Sequence, residues 1–186
     1  MPPKVKISKD AIVDAAVDIV RKSSAQALNA RTVAAALNCS TQPIFSNFAT
    51  MDALHLSVVQ KVAALCREYR AREVAREEFP PYKASGIAYI RFAKEEPELF
   101  KLLYMRNRAG STTATEEALF SDMEALVHKN TGLAAAASTR FHLEMWAFVH
   151  GIAVMLATGY LDLDWSVISQ MLTDTYLGLR KQHERV

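Results

Sequence analysis

The residues of this chain whose types could do chemistry fall into two groups. The first is a run of short polar side chains around position 42: Ser40, Thr41, Gln42, Ser46 and Asn47. Hydroxyl and amide groups of this size can bond base edges and phosphates of DNA, and a Gln amide can pair bidentately with adenine. The second group, His142, Trp146 and His150, recurs at every fourth position and could contribute a few polar contacts to the wall of a small-molecule pocket.

The histidines give little support to metal binding or catalysis. His142 and His150 are two helical turns apart, too far to chelate one ion, and no nearby Cys or Asp completes a ligand set. No Gly-rich phosphate loop, nucleophile elbow or zinc-protease pattern is present. We therefore expect no catalytic activity, no metal and no cofactor. An all-helical enzyme that uses His142 or His150 as a base is the alternative, and it predicts turnover that is lost in the His→Ala variants.

Ordinary packing is another explanation for the same side chains. We prefer packing in a helical core or dimer interface for His142, Trp146 and His150, because such residues at helical spacing are common there. Cys39 and Cys66 are expected to be buried structural thiols, and two cysteines cannot build a disulfide framework. No signal peptide or membrane-spanning run is visible. These features predict a cytoplasmic protein without a membrane segment.

The elements that must position these residues are helices. Apolar residues recur at helical spacing, no convincing strand alternation appears, and the pattern predicts an all-α fold of about nine helices. Ser8, Asn29, Ser40 and Asp164 are expected as N-caps, and Thr50 opens the longest helix. The predicted helices are 9–22, 30–37, 41–48, 51–76, 82–93, 97–106, 115–129, 138–157 and 165–181.

The second and third of these helices are short and lie close together. Asn38 ends the second helix, since Asn tolerates the left-handed backbone of a tight turn. With the helix before them, the two form a tri-helical helix-turn-helix unit whose third helix enters the major groove. Ile44, Phe45 and Phe48 are expected to supply its packing surface.

Charge is distributed unevenly along the chain, whose net charge is only +2. Residues 1–60 hold six Lys or Arg against four Asp or Glu, residues 61–110 hold eleven against seven, and residues 111–186 hold five against nine. The first half can therefore supply contacts to phosphates, and the last part cannot. A mixed solvated surface explains the same numbers, so charge alone does not decide.

Residues 12–54 resemble the DNA-binding domain of TetR-type repressors. The family pattern is Ile or Leu, Ala-Ala, Leu-Thr-Val-Arg, Ile-Ala, Leu-Gly-Val-Ser, Leu/Ile-Tyr, His-Phe and Lys-Glu-x-Leu. The corresponding residues are Ile12, Ala15-Ala16, Leu28-Asn29-Ala30-Arg31, Val33-Ala34, Leu37-Asn38-Cys39-Ser40, Ile44-Phe45, Asn47-Phe48 and Met51-Asp52-Ala53-Leu54. The register is unbroken from Leu28 to Leu54, which makes the signal specific.

The resemblance, together with residue chemistry, implies a set of DNA contacts. Gln42 and Thr41 are expected at base edges, where Thr can touch a thymine methyl group. Arg31 is expected at a phosphate or a base. An N-terminal arm with Lys4, Lys6 and Lys9 could add phosphate contacts, and an ordinary solvated tail is the alternative. The complete predicted set is Arg31, Ser40, Thr41, Gln42, Pro43, Phe45, Ser46, Asn47, Lys4 and Lys6.

Three positions depart from the family pattern. Phe45 stands where the family has a Tyr whose hydroxyl bonds a phosphate, Asn47 replaces a His, and Met51 replaces a Lys near the DNA backbone. Asn47 can still donate a hydrogen bond, and the N–H groups at the start of the long helix can still meet a phosphate. The departures nevertheless keep an alternative open, an all-helical small-molecule binding or carrier protein with weakened DNA binding.

The rest of the chain fits an all-helical regulatory domain of the same family. The segment from Trp146 to Gly151 is similar to the Trp-x-x-x-His-Gly signature of one class of TetR-type C-terminal domains. Helix 138–157 is apolar almost all round, and one chain need not bury every side of it. We expect a DNA-binding domain at residues 1–50 and a ligand-binding and dimerisation domain at 51–186.

The expected function is that of a ligand-responsive transcriptional regulator. We expect a repressor, because repression is the commoner mode of action in the family that the sequence resembles. It would bind a near-palindromic operator in double-stranded DNA as a homodimer, paired through its last two helices, and a small-molecule effector would release it. The candidate contacts to the effector are Tyr104, His142, Trp146 and His150.

Overall fold

The structure, a computed structural model, describes residues 7–105 and 114–184, with the backbone alone for residues 114–120. Within these ranges the regular elements are nine α-helices and one 3₁₀ turn, so the all-α prediction is confirmed. The α-helices are α1 (Lys9–Lys22), α2 (Ala30–Ala36), α3 (Gln42–Asn47), α4 (Met51–Ala75), α5 (Pro81–Glu95), α6 (Pro97–Tyr104), α7 (Ala114–Thr131), α8 (Ala135–Ala157) and α9 (Trp165–His183).

Side-chain caps fix the first helix starts. The Ser8 hydroxyl accepts a hydrogen bond from the backbone N–H three residues on. Asn29 caps α2 in a reciprocal capping box with Thr32, in which each side chain accepts from the other residue's N–H. Thr50 accepts from the backbone N–H three residues on, inside α4. These three predicted helix starts are confirmed.

One predicted cap is wrong, and another is confirmed in position only. The N-cap of α3 is Thr41 rather than Ser40, and it forms no side-chain cap. Thr41 has helical backbone angles (φ −72°, ψ −14°), so Ser40 lies one residue before the cap position. Pro43 is in the first turn and has no N–H that could donate a hydrogen bond to a capping side chain. Asp164 does occupy the N-cap position of α9, but its side chain makes no capping hydrogen bond.

The helix boundaries lie within three residues of those predicted. α5 begins at Pro81, since proline suits the first helical position. α6 ends at Tyr104 instead of continuing to residue 106. A 3₁₀ turn at Ala25–Ala27 was not predicted. The loop predicted at 107–113 lies outside the described residues.

Packing divides the described residues into two compact units. The first covers the chain up to Arg67 and resumes at Glu96 with α6, and the second covers Glu68–Glu95 and the chain from α7 to α9. α4 contributes residues to both units. The predicted domain boundary after residue 50 separates DNA binding from ligand binding. The two packing units do not test it, so it stays a prediction.

The first unit is built around α1, which packs against α2, α3 and α6. The stripe of Ile12, Ala16 and Val20, at every fourth position of α1, is fully buried. The other apolar residues of this unit that have no exposed surface are Val33, Ile44, Leu54, Val58, Val62, Leu99 and Phe100. At the surface, the Arg21 guanidinium bonds Glu96 at 2.8 Å and joins α1 to α6.

Asn38 makes the tight turn between α2 and α3. Its φ of 49° lies in the left-handed region, where Asn is tolerated better than most side chains. This prediction is confirmed, and the turn lets α3 pack against both α1 and α2.

The second unit is built around α8, which packs against α5, α7 and α9. One side of α8 is buried, and its members are Ser138, Phe141, His142, Met145, Val149, Ile152, Ala153 and Ala157. Leu143 and Trp146 on the other side are 47% and 42% exposed. A single chain therefore leaves part of this apolar helix uncovered, as the sequence suggested.

Candidate functional site

The outward face of α3 carries the candidate DNA contacts. Ile44 is fully buried and Phe48, at the end of the helix, is 3% exposed, so α3 packs through these two residues. Gln42, Phe45 and Ser46, at positions i, i+3 and i+4, share the exposed side. A helix held by one face, with the opposite face accessible, can enter a major groove.

The expectation that Phe45 helps to pack α3 is wrong. Ile44 and Phe48 occupy the inward positions. Successive residues of an α-helix are rotated by about 100°, so Phe45 faces outward and is 51% exposed. Because it is exposed, Phe45 remains accessible to DNA, and its place among the predicted DNA contacts stays a prediction.

The polar side chains beside Phe45 bond the protein's own backbone. The Ser46 hydroxyl donates to the Gln42 carbonyl at 2.9 Å. The Asn47 amide donates to the Pro43 carbonyl at 2.8 Å and to the Ile7 carbonyl at 3.4 Å. The Asn47 amide, which was expected to donate to a phosphate, therefore already donates to the protein's own backbone.

Of the remaining candidates, Arg31 is exposed in the first turn of α2. Ser40, which is exposed, and Thr41 and Pro43, which are half-buried, lie at the start of α3. Lys4 and Lys6 lie outside the described residues. Lys9, in the first turn of α1, places its ammonium group 5.0 Å from the centre of the Phe48 ring. The N-terminus of α1 is thus close to the end of α3.

The second candidate site lies on α8, where each histidine contacts a tyrosine of α5. The Tyr82 hydroxyl lies 3.0 Å from Nδ1 of His142, and His142 is buried. Burial lowers the pKa of this imidazole, and it raises the pKa of the Tyr82 phenol. A neutral histidine within the core fits the packing explanation that we preferred for position 142.

His150 lies in a more open setting. Its Nδ1 is 2.9 Å from the Tyr89 hydroxyl, and its ring stacks on Trp146 with centroids 5.1 Å apart and planes 13° apart. Trp146 is substantially exposed and His150 half-buried. The structure thus brings Trp146 and His150 together with Tyr89 in one polar and aromatic cluster.

Tyr104 belongs to the first unit, so the four predicted effector contacts are divided between the two units. Its hydroxyl lies 3.4 Å from Sγ of Cys66. Cys66 and Cys39 are both half-buried, so the expectation of buried thiols is wrong. Cys39 lies in the turn before α3, where the neighbouring chain covers it incompletely.

Sequence reasoning missed the tyrosine partners of the two histidines. Tyr82 and Tyr89 are seven residues apart on α5, and His142 and His150 are eight apart on α8, nearly the same distance along a helix. Because the contacts follow the same order on both helices, α5 and α8 run side by side in the same direction. The matched spacing was the available signal, but a separation of about 60 residues hides such a pairing.

A buried carboxylate in the second unit was also missed. Glu73 of α4 is 3% exposed, and its Oε2 accepts hydrogen bonds from Arg76 at 3.0 Å and from Arg91 at 3.2 Å. Its Oε1 has no hydrogen-bond partner among the described residues. The Arg91 guanidinium also lies 4.4 Å from the centre of the Trp165 ring. This cluster joins α4, α5 and α9.

Residues 7–105 and 114–184 contain neither a metal-ligand cluster nor a membrane-spanning helix. No group of three His, Cys, Asp or Glu side chains there could hold a metal ion. No helix there is long and apolar enough to cross a membrane.

Residues 82–175, half of the chain, match the family model of the tetracycline repressor-like C-terminal domain. The chain belongs to the TetR family of transcriptional regulators. The resemblance seen in residues 12–54 and the helix-turn-helix arrangement of α2 and α3 agree with this membership. A comparison with curated proteins gives no match to this chain.

Solved structures share the fold at low sequence identity. A TetR-like transcriptional regulator from Rhodococcus sp. RHA1 superposes with a TM-score of 0.69 at 16% identity, over 95% of this chain and 96% of that one. A putative TetR-family regulator from Vibrio parahaemolyticus gives 0.61 at 17%, over 91% and 96%. The multidrug binding protein EbrR, complexed with imidazole, gives 0.54 at 18%, over 89% and 93%.

Proposed function

We propose that this chain is a ligand-responsive repressor that binds a near-palindromic DNA operator as a homodimer. The observation that carries the proposal is α3, which is held by Ile44 and Phe48 and exposes Gln42, Phe45 and Ser46 on its other side. The N-terminal residues of such a helix contact base edges, so Thr41 and Gln42 are the proposed base-reading pair.

Phosphate contacts complete the proposed DNA interface. The backbone N–H groups at the start of α4 can bond a phosphate, as helix N-termini commonly do. Arg31 is exposed and can contribute a cation. Lys4 and Lys6 are proposed to add the electrostatic attraction that the Met51 position no longer supplies. Because such a regulator must reach its DNA operator, we propose that it acts in the cytoplasm.

Dimerisation is proposed through α8 and α9. Exposed apolar side chains occur on both helices, and the large ones other than Trp146 are Leu143, Val167 and Leu177. Apolar surface of this kind is stabilised by burial against a second copy. A two-fold dimer would place two copies of α3 in successive major grooves, about 34–36 Å apart or a multiple of that distance.

We place the effector contacts on α8, near Trp146 and His150. The aromatic stack offers apolar surface, and the His150–Tyr89 pair offers polar groups, a combination typical of small-molecule sites. α4 has residues in both units, so a change in its tilt is the proposed link from effector to DNA. The effector must prefer the state that does not bind DNA by a few kcal/mol to shift occupancy strongly.

Selection of DNA from a random duplex pool by the purified full chain tests this function. We expect enrichment of an inverted repeat whose half-sites are about one helical turn apart, or a multiple of it. Failure to enrich any sequence would overturn the proposed function. The enriched duplex then serves to screen small molecules for release of the DNA.

One set of contacts favours a second function, a small-molecule binding protein with weakened DNA binding. The Asn47 amide is bonded to the protein backbone, and Phe45 lacks a hydroxyl group for a phosphate. This alternative predicts that the selection enriches nothing, while a compound library still yields a ligand that raises the thermal stability of the chain.

A further inference from the structure

Phe45 is a large apolar side chain in the middle of the outward face of α3, and 51% of it is exposed. We propose that the Phe45 ring contacts the C5-methyl group of a thymine in the major groove and so makes that thymine part of the operator. This inference rests on the proposed function, because it requires α3 to enter the groove. It assigns a base-specific role to a position where the family pattern has a phosphate-bonding Tyr.

The neighbours of Phe45 leave its ring as the projecting group. The Ser46 hydroxyl is turned onto the Gln42 carbonyl, and the Asn47 amide is turned onto the Pro43 carbonyl. Both polar side chains are therefore drawn toward the backbone of α3. A molecule that approaches this face between Gln42 and the end of the helix meets the aromatic ring.

The chemistry of the ring selects its partner on DNA. A phenyl group neither donates nor accepts a hydrogen bond, so it satisfies no phosphate oxygen and no polar base edge. The thymine C5-methyl is the apolar group that the four bases present in the major groove. Burial of the ring against this methyl removes apolar surface of both from water.

Helix geometry gives the place of the thymine relative to the base read by Gln42. The step of three residues from Gln42 to Phe45 corresponds to about 4.5 Å along the helix axis. Successive base pairs are about 3.4 Å apart. We therefore place the thymine within one or two base pairs of the position that depends on Gln42.

The test replaces each thymine of the selected operator by deoxyuridine, which removes the methyl group alone. Both half-sites are changed together, and binding of the full chain is measured by fluorescence anisotropy at one salt concentration. At one position we expect the affinity to fall about fourfold per half-site, the effect of one buried carbon. Phe45→Ala should bind the thymine and deoxyuridine duplexes equally at that position, and Phe45→Leu should retain part of the difference.

Leu56→Ala is the matched control, because Leu56 is 56% exposed on α4 of the same unit and lies outside α3. It should keep the wild-type response to deoxyuridine. A response that is the same in wild type, Phe45→Ala and Phe45→Leu, or an operator without a methyl-sensitive position, overturns this inference alone. If the full chain selects no DNA, the proposed function fails and this inference fails with it.

Discussion

Gln42 is the single side chain on which base recognition depends most in the proposed function. It is exposed at the first position of α3, and its amide can pair bidentately with adenine. We expect Gln42→Ala to weaken binding to the selected operator by about tenfold or more, with little change in binding to unrelated DNA. Anisotropy titrations on both duplexes measure the two effects.

The matched control for this substitution is Gln60→Ala, because Gln60 is also exposed but lies on α4. It should leave both affinities unchanged. If Gln42→Ala weakened binding to the operator and to unrelated DNA by the same factor, Gln42 would contact the DNA without selecting a base.

His142 makes stability depend on pH. Burial lowers its pKa below the ordinary value of 6.5, and the charge of Glu124 opposes this shift. The unfolded chain therefore binds the proton more readily, so this contribution to stability is complete above pH 6.5 and is lost as the pH falls from there toward the folded-state pKa. His142→Asn keeps a polar partner for Tyr82 and cannot titrate, so its free energy of unfolding should fall less on acidification.

Urea unfolding at several pH values between about 7.5 and 5.5 measures this difference. His55→Asn, on α4 in the first unit, is the control and should retain the wild-type dependence on pH. An equally steep loss of stability in wild type and His142→Asn would show that other groups carry the effect.

Among the helices, α4 and α5 are joined by the ion pair of Glu73 and Arg91. Removing one partner leaves the buried carboxylate with less compensation, so Arg91→Met should lower the free energy of unfolding by about 3 kcal/mol. Replacing both residues by Met removes the buried charge as well, and most of that loss should be recovered. Urea unfolding of the two variants gives the comparison.

Arg72→Met is the control at this scale, since Arg72 is an exposed cation of α4 that lies 4.0 Å from Glu68 and 4.9 Å from the centre of the Tyr69 ring. Contacts of this kind at the surface are weak, so the change in stability should be no more than about 1 kcal/mol. A double variant that is less stable than Arg91→Met would mean that the carboxylate stabilises α4 through contacts other than the ion pair.

Local signals predicted the elements better than the contacts between them. Asn29 caps α2 and Asn38 forms the turn because each effect acts within a few residues of the chain. The outward position of Phe45 depends on which residues of α3 meet α1, and the burial of Glu73 depends on where α5 passes a charged run of α4. Such features follow from packing between segments that are distant in sequence, so periodicity does not reveal them.

At the scale of the whole molecule, the account requires a dimer. Light scattering at about micromolar concentration should give a mass of twice the 20.7 kDa chain. Leu177→Glu, which puts a charge on the exposed apolar surface of α9, should shift the protein toward the monomer and weaken operator binding. Leu56→Glu, an exposed position of the first unit, should remain dimeric. A wild-type monomer would contradict the proposed dimer.

The most direct test of the central claim is an anisotropy titration of the full chain with its selected operator and with a scrambled duplex at the same salt concentration. Specific regulators bind their operators at least about 10³-fold more tightly than unrelated DNA, and the account predicts a ratio of this size. Equal and weak binding to both duplexes would contradict it, and small-molecule binding without DNA recognition would become the better description of this protein.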